Sequence, residues 1–465
     1  MAYSAWVEKF AQALKGSLNS HRLPWGYCWL VFCLGIGIRG VFLSHMTPAH
    51  TTGNDAPEYD LLAYNLVTAG TLSLGVTPQY EARLRHLDPA LDPWINAMFS
   101  RYGRAVEPSA YRTPGYPAFL AAHFMAFGWE NYTPVRITQT LLDALLCVLV
   151  MRFVAARSCR LAGISAGLLL ACSPFLASAS MMTQSDSLGV WLCTLGYVLG
   201  VLALERAPGR ALVACAALCL ALAALTRPQV LLWPLALILA TVLLDWKKYW
   251  QEMLVKIAII VSVLILTWTP WLVRNYRDTR KICFTTTTPL ALYKGSIDLI
   301  VAGGGEQLSN EPDATDEERL NHFKQVVLHQ PVYFIKLGLL KTIALFHPAS
   351  HLVKRRTLFW RAQYFYESLA LGLAVIGVCL SRDRALKTLF LCILFFHVAV
   401  VFLTISDVRF RLALAPAYYL LAGIGLAELL RRLMGIQRPT PEGQNNAKGS
   451  PGVNQARECA SRAAL

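Results

Sequence analysis

The chain has 465 residues, of which 55% are hydrophobic and only 15% charged, with a mean hydropathy of +0.44. That is too apolar for a protein whose whole surface meets water. The formal charge of +15 does not describe a nucleic-acid binder, because the basic residues stand in small pairs between apolar runs and not in one tract.

A membrane-spanning helix needs roughly 20 mostly apolar residues. In chain order, such runs occupy 25–46, 135–154, 161–180, 188–204, 212–225, 230–244, 255–273, 364–380, 386–405 and 412–429. The fold expected is an all-α polytopic membrane protein of about ten spans, plus periplasmic juxtamembrane helices. The first run lacks a small-residue cleavage site, so it reads as a span and not as a removable signal. The fifth and sixth are short and separated only by Thr226-Arg227-Pro228-Gln229, a tight helical hairpin. Most of the 12 cysteines, Cys28, Cys147 and Cys193 among them, lie inside apolar runs without metal-ligand spacing, and read as small hydrophobes.

Orientation follows from the basic flanks. With Lys9, Lys15 and Arg22 inside, alternate loops carry Arg157/Arg160, Arg206/Arg210, Lys247/Lys248, Arg382/Arg384/Lys387 and Arg431/Arg432. Both termini are then cytoplasmic. Residues 1–24 form the N-terminal segment, 25–435 one transmembrane domain, and 436–465 a disordered tail rich in Pro, Gly, Asn and Gln. Two long outer segments remain, 47–134 and 274–363. Their semi-hydrophobic stretches 114–128 and 331–346 read as helices in the outer interface, since counting them as crossings breaks the parity.

Several polar residues stand against this pattern. Arg227, Arg409 and Arg411 lie in short outer loops, and Arg274, Arg277, Arg280, Lys281 and Lys294 follow the seventh span. Each alone reads equally as a snorkelling cation. As a group they imply an anion held at the outer leaflet, and a phosphate suits the bidentate guanidinium. An acid stands near them. Pro57 suits a first helical turn and Gly70 a C-terminal cap, so 56–69 reads as a helix with Tyr59, Leu62, Ala63, Leu66 and Val67 on its apolar face. Asp55 at its start admits two readings, a helix cap or a carboxylate base held at the membrane surface. Asp186, which opens the fourth span from the same side, reads first as a cap.

Five stretches carry a resemblance. They are Asp55…Glu58-Tyr59…Ala63…Asn65-Leu66…Gly70, Tyr111-Arg112-Thr113-Pro114-Gly115-Tyr116-Pro117, Leu225-Thr226-Arg227-Pro228, Pro270-Trp271…Arg274-Asn275 and Arg409-Phe410-Arg411-Leu412…Pro416. In this order, over about residues 25 to 430, they resemble the polyprenyl-phosphate-dependent glycosyltransferases of the C superfamily, of the bacterial family 39 type. Protein O-mannosyltransferases and the aminoarabinose transferases that modify lipid A are relatives. The resemblance implies an inverting enzyme of the bacterial inner membrane, active at the periplasmic face. It would move a sugar from a polyprenyl-phosphate donor to an envelope lipid, glycan or protein.

Asp55 is then similar to the family's catalytic base. Several relatives follow that aspartate with a glutamate, where this chain has Ala56 and then Glu58. The substrate-binding residues implied are Glu58, Tyr59, Arg112, Tyr116, Asp186, Arg227, Arg274, Lys294, Arg409 and Arg411. Arg227, Arg274 and Arg411 are expected foremost at the lipid phosphate, with Arg409 or Lys294 as substitutes. The chemistry needs no cofactor and no metal; His86, Asp88 and Asp92 are the one alternative ligand set, and read better as loop residues. The partners expected are donor, acceptor and membrane lipids. The rival class is a secondary transporter or flippase for an anionic lipid, against which stands the lack of an inverted repeat. A scaffolding subunit, the third class, would not need Asp55 and the displaced arginines.

Overall fold

The computed structural model describes residues 16–45, 55–87, 102–129, 131–205, 209–246, 249–297, 314–348 and 358–436, with 12, 96 and 100 besides. No strand occurs among them. The helices are α1 (Trp25–His45), α2 (Ala56–Ala69), α3 (Pro78–Leu87), α4 (Gly115–Phe127), α5 (Thr133–Arg157), α6 (Arg160–Ala171), α7 (Pro174–Met181) and α8 (Asp186–Glu205). They continue with α9 (Arg210–Thr226), α10 (Trp233–Asp245), α11 (Trp250–Thr279), α12 (Thr288–Gly295), α13 (Asp316–His329) and α14 (Pro331–Leu345). The last three are α15 (Leu358–Leu380), α16 (Arg384–Leu403) and α17 (Ala415–Leu433). Short 3₁₀ turns, Pro228–Val230 and Val408–Leu414, precede α10 and α17.

Eight helices among the described residues are long and apolar enough to cross a membrane. The pair α6/α7 adds a ninth if its two halves are one span, and the shorter apolar α9 a tenth, so all ten expected runs are helical. The third run is not a straight helix. It breaks with a 48° bend where Ser173 caps the Leu176 amide and Pro174 opens α7.

Contacts between loops sort the helix ends into two groups. At one end Arg157 donates to Asp383 at 2.6 Å and pairs with Glu205, and Arg210 pairs with Glu252 at 3.1 Å. The same end gathers the chain's first and last described segments, since Arg160 donates to Ser17 at 3.1 Å and Arg431 to the Leu18 carbonyl. These are the basic loops that the sequence assigns to a single side. Arg206, Lys247, Lys248 and the tail beyond 436 lie outside the described residues.

The opposite end carries a second core, separate from that of the bundle, in which Tyr59, Leu62, Tyr64, Tyr80, Tyr116, Leu120, Trp129 and Tyr132 pack together. The α2 helix starts and stops where Pro57 and Gly70 place it, with Gly70 at φ 69°. Every residue from Ala56 to Asn65 is buried, so α2 is enclosed and is not laid on a surface. The helices α4 and α14, of 13 and 15 residues, extend only about 20 Å each, against a hydrocarbon core of roughly 30 Å. The two faces of α14 differ. Phe334, Leu337, Lys341 and Leu345 are buried, while Val332, Ile335, Leu339 and Ile343 are exposed apolar residues at helical spacing, as an interfacial helix requires.

Candidate active site

The end of the bundle that carries the second core brings three carboxylates and three guanidinium groups from five separate stretches into one alternating chain: Glu58, Arg112, Asp55, Arg409, Asp186, Arg227. Asp55 occupies the N-cap position of α2, yet its side chain makes no capping bond. It accepts instead from Arg112 Nη2 at 2.8 Å and from Arg409 Nη1 at 3.3 Å. Arg112 also donates through Nε to Glu58 at 2.7 Å, and Glu58 accepts from the Tyr102 hydroxyl at 2.5 Å. The Arg112 guanidinium lies over the rings of Tyr59 and Tyr111, at 5.5 and 5.3 Å. Arg409, on the second 3₁₀ turn, donates through Nη2 to Asp186 at 2.8 Å and to Gln184 at 2.5 Å. Asp186 also accepts from Arg227.

The chain of charges is buried at both ends, where Arg227 and Glu58 lie, and open in its middle. Arg227 and Asp186 are 3% and 1% exposed, whereas Arg409, Arg112 and Asp55 are 18%, 24% and 29% exposed. Asp55 is therefore the accessible carboxylate and Asp186 the buried one. Burial alone would raise the proton affinity of Asp55, but Arg112 and then Arg409 outweigh it and hold the carboxyl below its usual range, against the opposing charge of Asp186. Arg112 is held charged in turn: burial opposes its charge, and Asp55 and Glu58 more than restore it.

The local sequence explains how these groups meet. The Tyr116 hydroxyl donates to Gln139, and the Gln139 amide donates to the Ser180 and Met182 carbonyls at 2.8 and 3.0 Å, which fixes the non-helical stretch leading to Asp186. Tyr59 donates to Ser185 in the same stretch at 3.0 Å. Gly115 is where α4 meets the end of α9; a Cβ there would lie 2.6 Å from Thr226 Oγ1. Gly189, one turn into α8, leaves room for the Arg227 side chain, whose Cδ would be 2.4 Å from a Cβ. Arg227 thus reaches Asp186 across a face that any larger residue would block.

Of the eleven residues singled out from the sequence, Asp55, Glu58, Arg112, Asp186, Arg227 and Arg409 form the chain, and Tyr59 and Tyr116 brace it. Arg274 has another place: it donates to the Ser109 and Leu72 carbonyls at 2.8 and 3.3 Å and pairs with Asp278 at 2.8 Å, tying α11 to the outer loop. Lys294 stands partly exposed in the last turn of α12, a helix packed on α13. Arg411 is fully buried and donates to the His347 carbonyl at 2.6 Å and to Glu367 at 3.4 Å. Glu367 accepts also from Tyr418 and Tyr419. A guanidinium so engaged is a pin between α15 and the end of α14, which corrects its expected place at a phosphate. Asp186 is likewise more than a cap, because both its oxygens take guanidinium groups.

Two features escaped the sequence reading. Gln184 holds Arg409, and the run Gln184-Ser185-Asp186-Ser187 was its only signal. Arg39 in the first span is 3.5 Å from Asp143 in the second, and Asp143 accepts from Ser187, next to Asp186. A cation inside an apolar run was signal enough for that pair. Asp88 and Asp92, considered as metal ligands, lie outside the described residues; among the described residues no cluster of three or more His, Cys, Asp or Glu is placed to hold a metal ion.

The fold defines the class: this is an all-α polytopic membrane protein. Residues 111–272, about a third of the chain, match the family model described as dolichyl-phosphate-mannose-protein mannosyltransferase. The matched segment contains Arg112, Tyr116, Asp186 and Arg227.

Among solved structures, the archaeal oligosaccharyltransferase AglB from Archaeoglobus fulgidus, in complex with an inhibitory peptide and a dolichol-phosphate, shares the fold at a TM-score of 0.52 and 12% identity. The match covers 92% of this chain and 52% of that one, so the chain spans about half the length of that enzyme. The apo form of the A. fulgidus oligosaccharyltransferase gives a TM-score of 0.53 at 13% identity, over 91% and 52%. ArnT from Cupriavidus metallidurans, bound to undecaprenyl phosphate, gives 0.38 at 14% identity, over 90% and 82%. No curated protein matches this sequence.

Proposed function

We propose that the chain is an inverting glycosyltransferase that moves a sugar from a polyprenyl-phosphate donor to an envelope acceptor at the periplasmic face of the bacterial inner membrane. The observation that carries this reading is the open middle of the charge chain. There a partly exposed carboxylate, Asp55, lies between two guanidinium groups at one end of a bundle of apolar helices.

In this reading Asp55 takes the proton of the acceptor hydroxyl while the hydroxyl oxygen attacks the anomeric carbon. The bond from that carbon to the phosphate oxygen breaks, and polyprenyl phosphate leaves with the electron pair. Arg409 and Arg112 neutralise the leaving phosphate, the role that fits their exposure better than it fits Arg411 or Arg274. Asp186 and Arg227 are positioning residues, a buried pair that fixes one nitrogen of Arg409. A single displacement inverts the anomeric centre.

The experiment is transfer by purified protein in detergent, given lipid-linked sugars and envelope acceptors extracted from a strain lacking the protein. Release of polyprenyl phosphate with sugar gained by the acceptor, in the absence of any membrane gradient, is the expected result. Donor that is bound but never consumed would point to a transporter or flippase instead.

A further inference from the structure

The six groups of the chain differ in how firmly each is held, and the difference singles out one link. Arg227 and Asp186 are buried against each other. Arg112 is gripped by two carboxylates and lies over two tyrosine rings. Arg409 is held unequally: Nη2 has Asp186 at 2.8 Å and Gln184 at 2.5 Å, while Nη1 reaches Asp55 at 3.3 Å, the longest contact in the chain. One arm of the guanidinium is anchored in the protein and the other rests on the base. The Arg409 backbone is fixed as well, since Asp407 accepts from its amide at 2.7 Å.

Asp55 is therefore held by two cations, Arg112 on Oδ1 and Arg409 on Oδ2, and is a weak proton acceptor. A donor phosphate entering beside it brings negative charge that Arg409 can meet without leaving Asp186. We propose that Arg409 is an exchange residue, which moves its Nη1 arm from Asp55 to the phosphate of the bound donor and so frees the Oδ2 oxygen of the base only when donor is in place, while Arg112 stays on Oδ1. This rests on the glycosyltransferase reading above and adds an order to it: donor binds first, and acceptor is activated second. The exchange also resets the site. After transfer Asp55 carries the acceptor's proton; when polyprenyl phosphate leaves, Arg409 returns to Asp55 and the proton passes to water.

If Arg409 must leave Asp55 to bind phosphate, then neutralising Asp55 removes a competitor. Undecaprenyl phosphate is the probe, with its affinity for the full chain in detergent as the readout. Asp55→Asn should bind it more tightly than the unmodified protein, by about fivefold for one partly exposed ion pair. The gain should vanish when Asp55→Asn is combined with Arg409→Gln, because no exchange remains. If Arg409→Gln does not fold, Arg409→Lys replaces it; an ammonium cannot bridge two acceptors as the fork does, and the gain should again be lost. Equal affinity of Asp55→Asn and unmodified protein, or an undiminished gain in the double variant, overturns the exchange. Neither outcome touches the proposed reaction, which fails separately if Asp55→Asn still transfers sugar at a near-normal rate.

Discussion

Arg409 and Arg411 are two residues apart on one 3₁₀ turn and have opposite fates. Both stood out from the sequence for the same reason, a cation in an outer loop where few are placed, and that signal says nothing of what a guanidinium meets. Arg411 faces Glu367 and backbone carbonyls in a dry interior. Arg411→Ala should cost about 3–5 kcal/mol of stability, because Glu367 is left buried without its cation. Arg409→Ala should leave thermal unfolding close to that of the unmodified protein and weaken undecaprenyl phosphate binding about tenfold, Arg112 remaining at the site. Comparable loss of stability in both variants would contradict the division of roles. Asp60 offers a second test in the outer-loop core, where it accepts from Tyr80 and Tyr132 at 2.8 Å each. Burial pushes its carboxyl up to about 7, while the unfolded chain releases that proton near its ordinary value of 3.8. Between these values the folded state binds the extra proton, so stability falls as pH rises through this window. Thermal unfolding at pH 5 and pH 8 measures it, and Asp60→Asn should flatten the difference. An unchanged slope in that variant would place the pH dependence elsewhere.

The elements that deliver Arg409 are themselves held by a buried lysine. Lys341 on α14 donates to the Gly295, Phe402 and Thr404 carbonyls at 2.8, 2.5 and 2.7 Å, and its own carbonyl accepts from Ser406 at 2.8 Å. It closes the C-terminal end of α16 and fixes the turn that leads to Arg409. Lys341→Met should keep the protein inserted but loosen that turn, weakening undecaprenyl phosphate binding about tenfold while Asp55-dependent transfer persists at saturating donor. A normal affinity in Lys341→Met would show that the turn is held without it. Element boundaries were legible where turn chemistry is local: Pro57 and Gly70 bound α2 as their backbone preferences require, and the period of α14 shows in its exposed residues. The bend at Ser173 was missed: the Ser-Pro pair signals it, but the apolar run on both sides hid it. The outer-loop core was not legible, because Tyr102 meets Glu58, and Arg112 meets Asp55, across stretches with no common period.

At the scale of the whole molecule, hydropathy was enough to find the ten apolar helical runs, since each is a local property of the chain. The site was only half legible, because pairing Asp186 with Arg227 and Arg409 needs the helices packed. Orientation in the cell remains a proposal with its own test. A cysteine placed at 206, on a background cleared of reactive cysteines, should resist an impermeant reagent in intact cells, whereas one placed at 107 should react; the reverse pattern would invert the topology. The measurement that bears most directly on function is sugar transfer by purified Asp55→Asn, with undecaprenyl phosphate binding recorded on the same sample. Asparagine keeps the size of the side chain, and no capping bond is lost, since Asp55 makes none. Transfer should fall by about 10²-fold or more while the phosphate is still bound; a folded, phosphate-binding Asp55→Asn protein that transfers sugar at a near-normal rate would contradict Asp55 as the base.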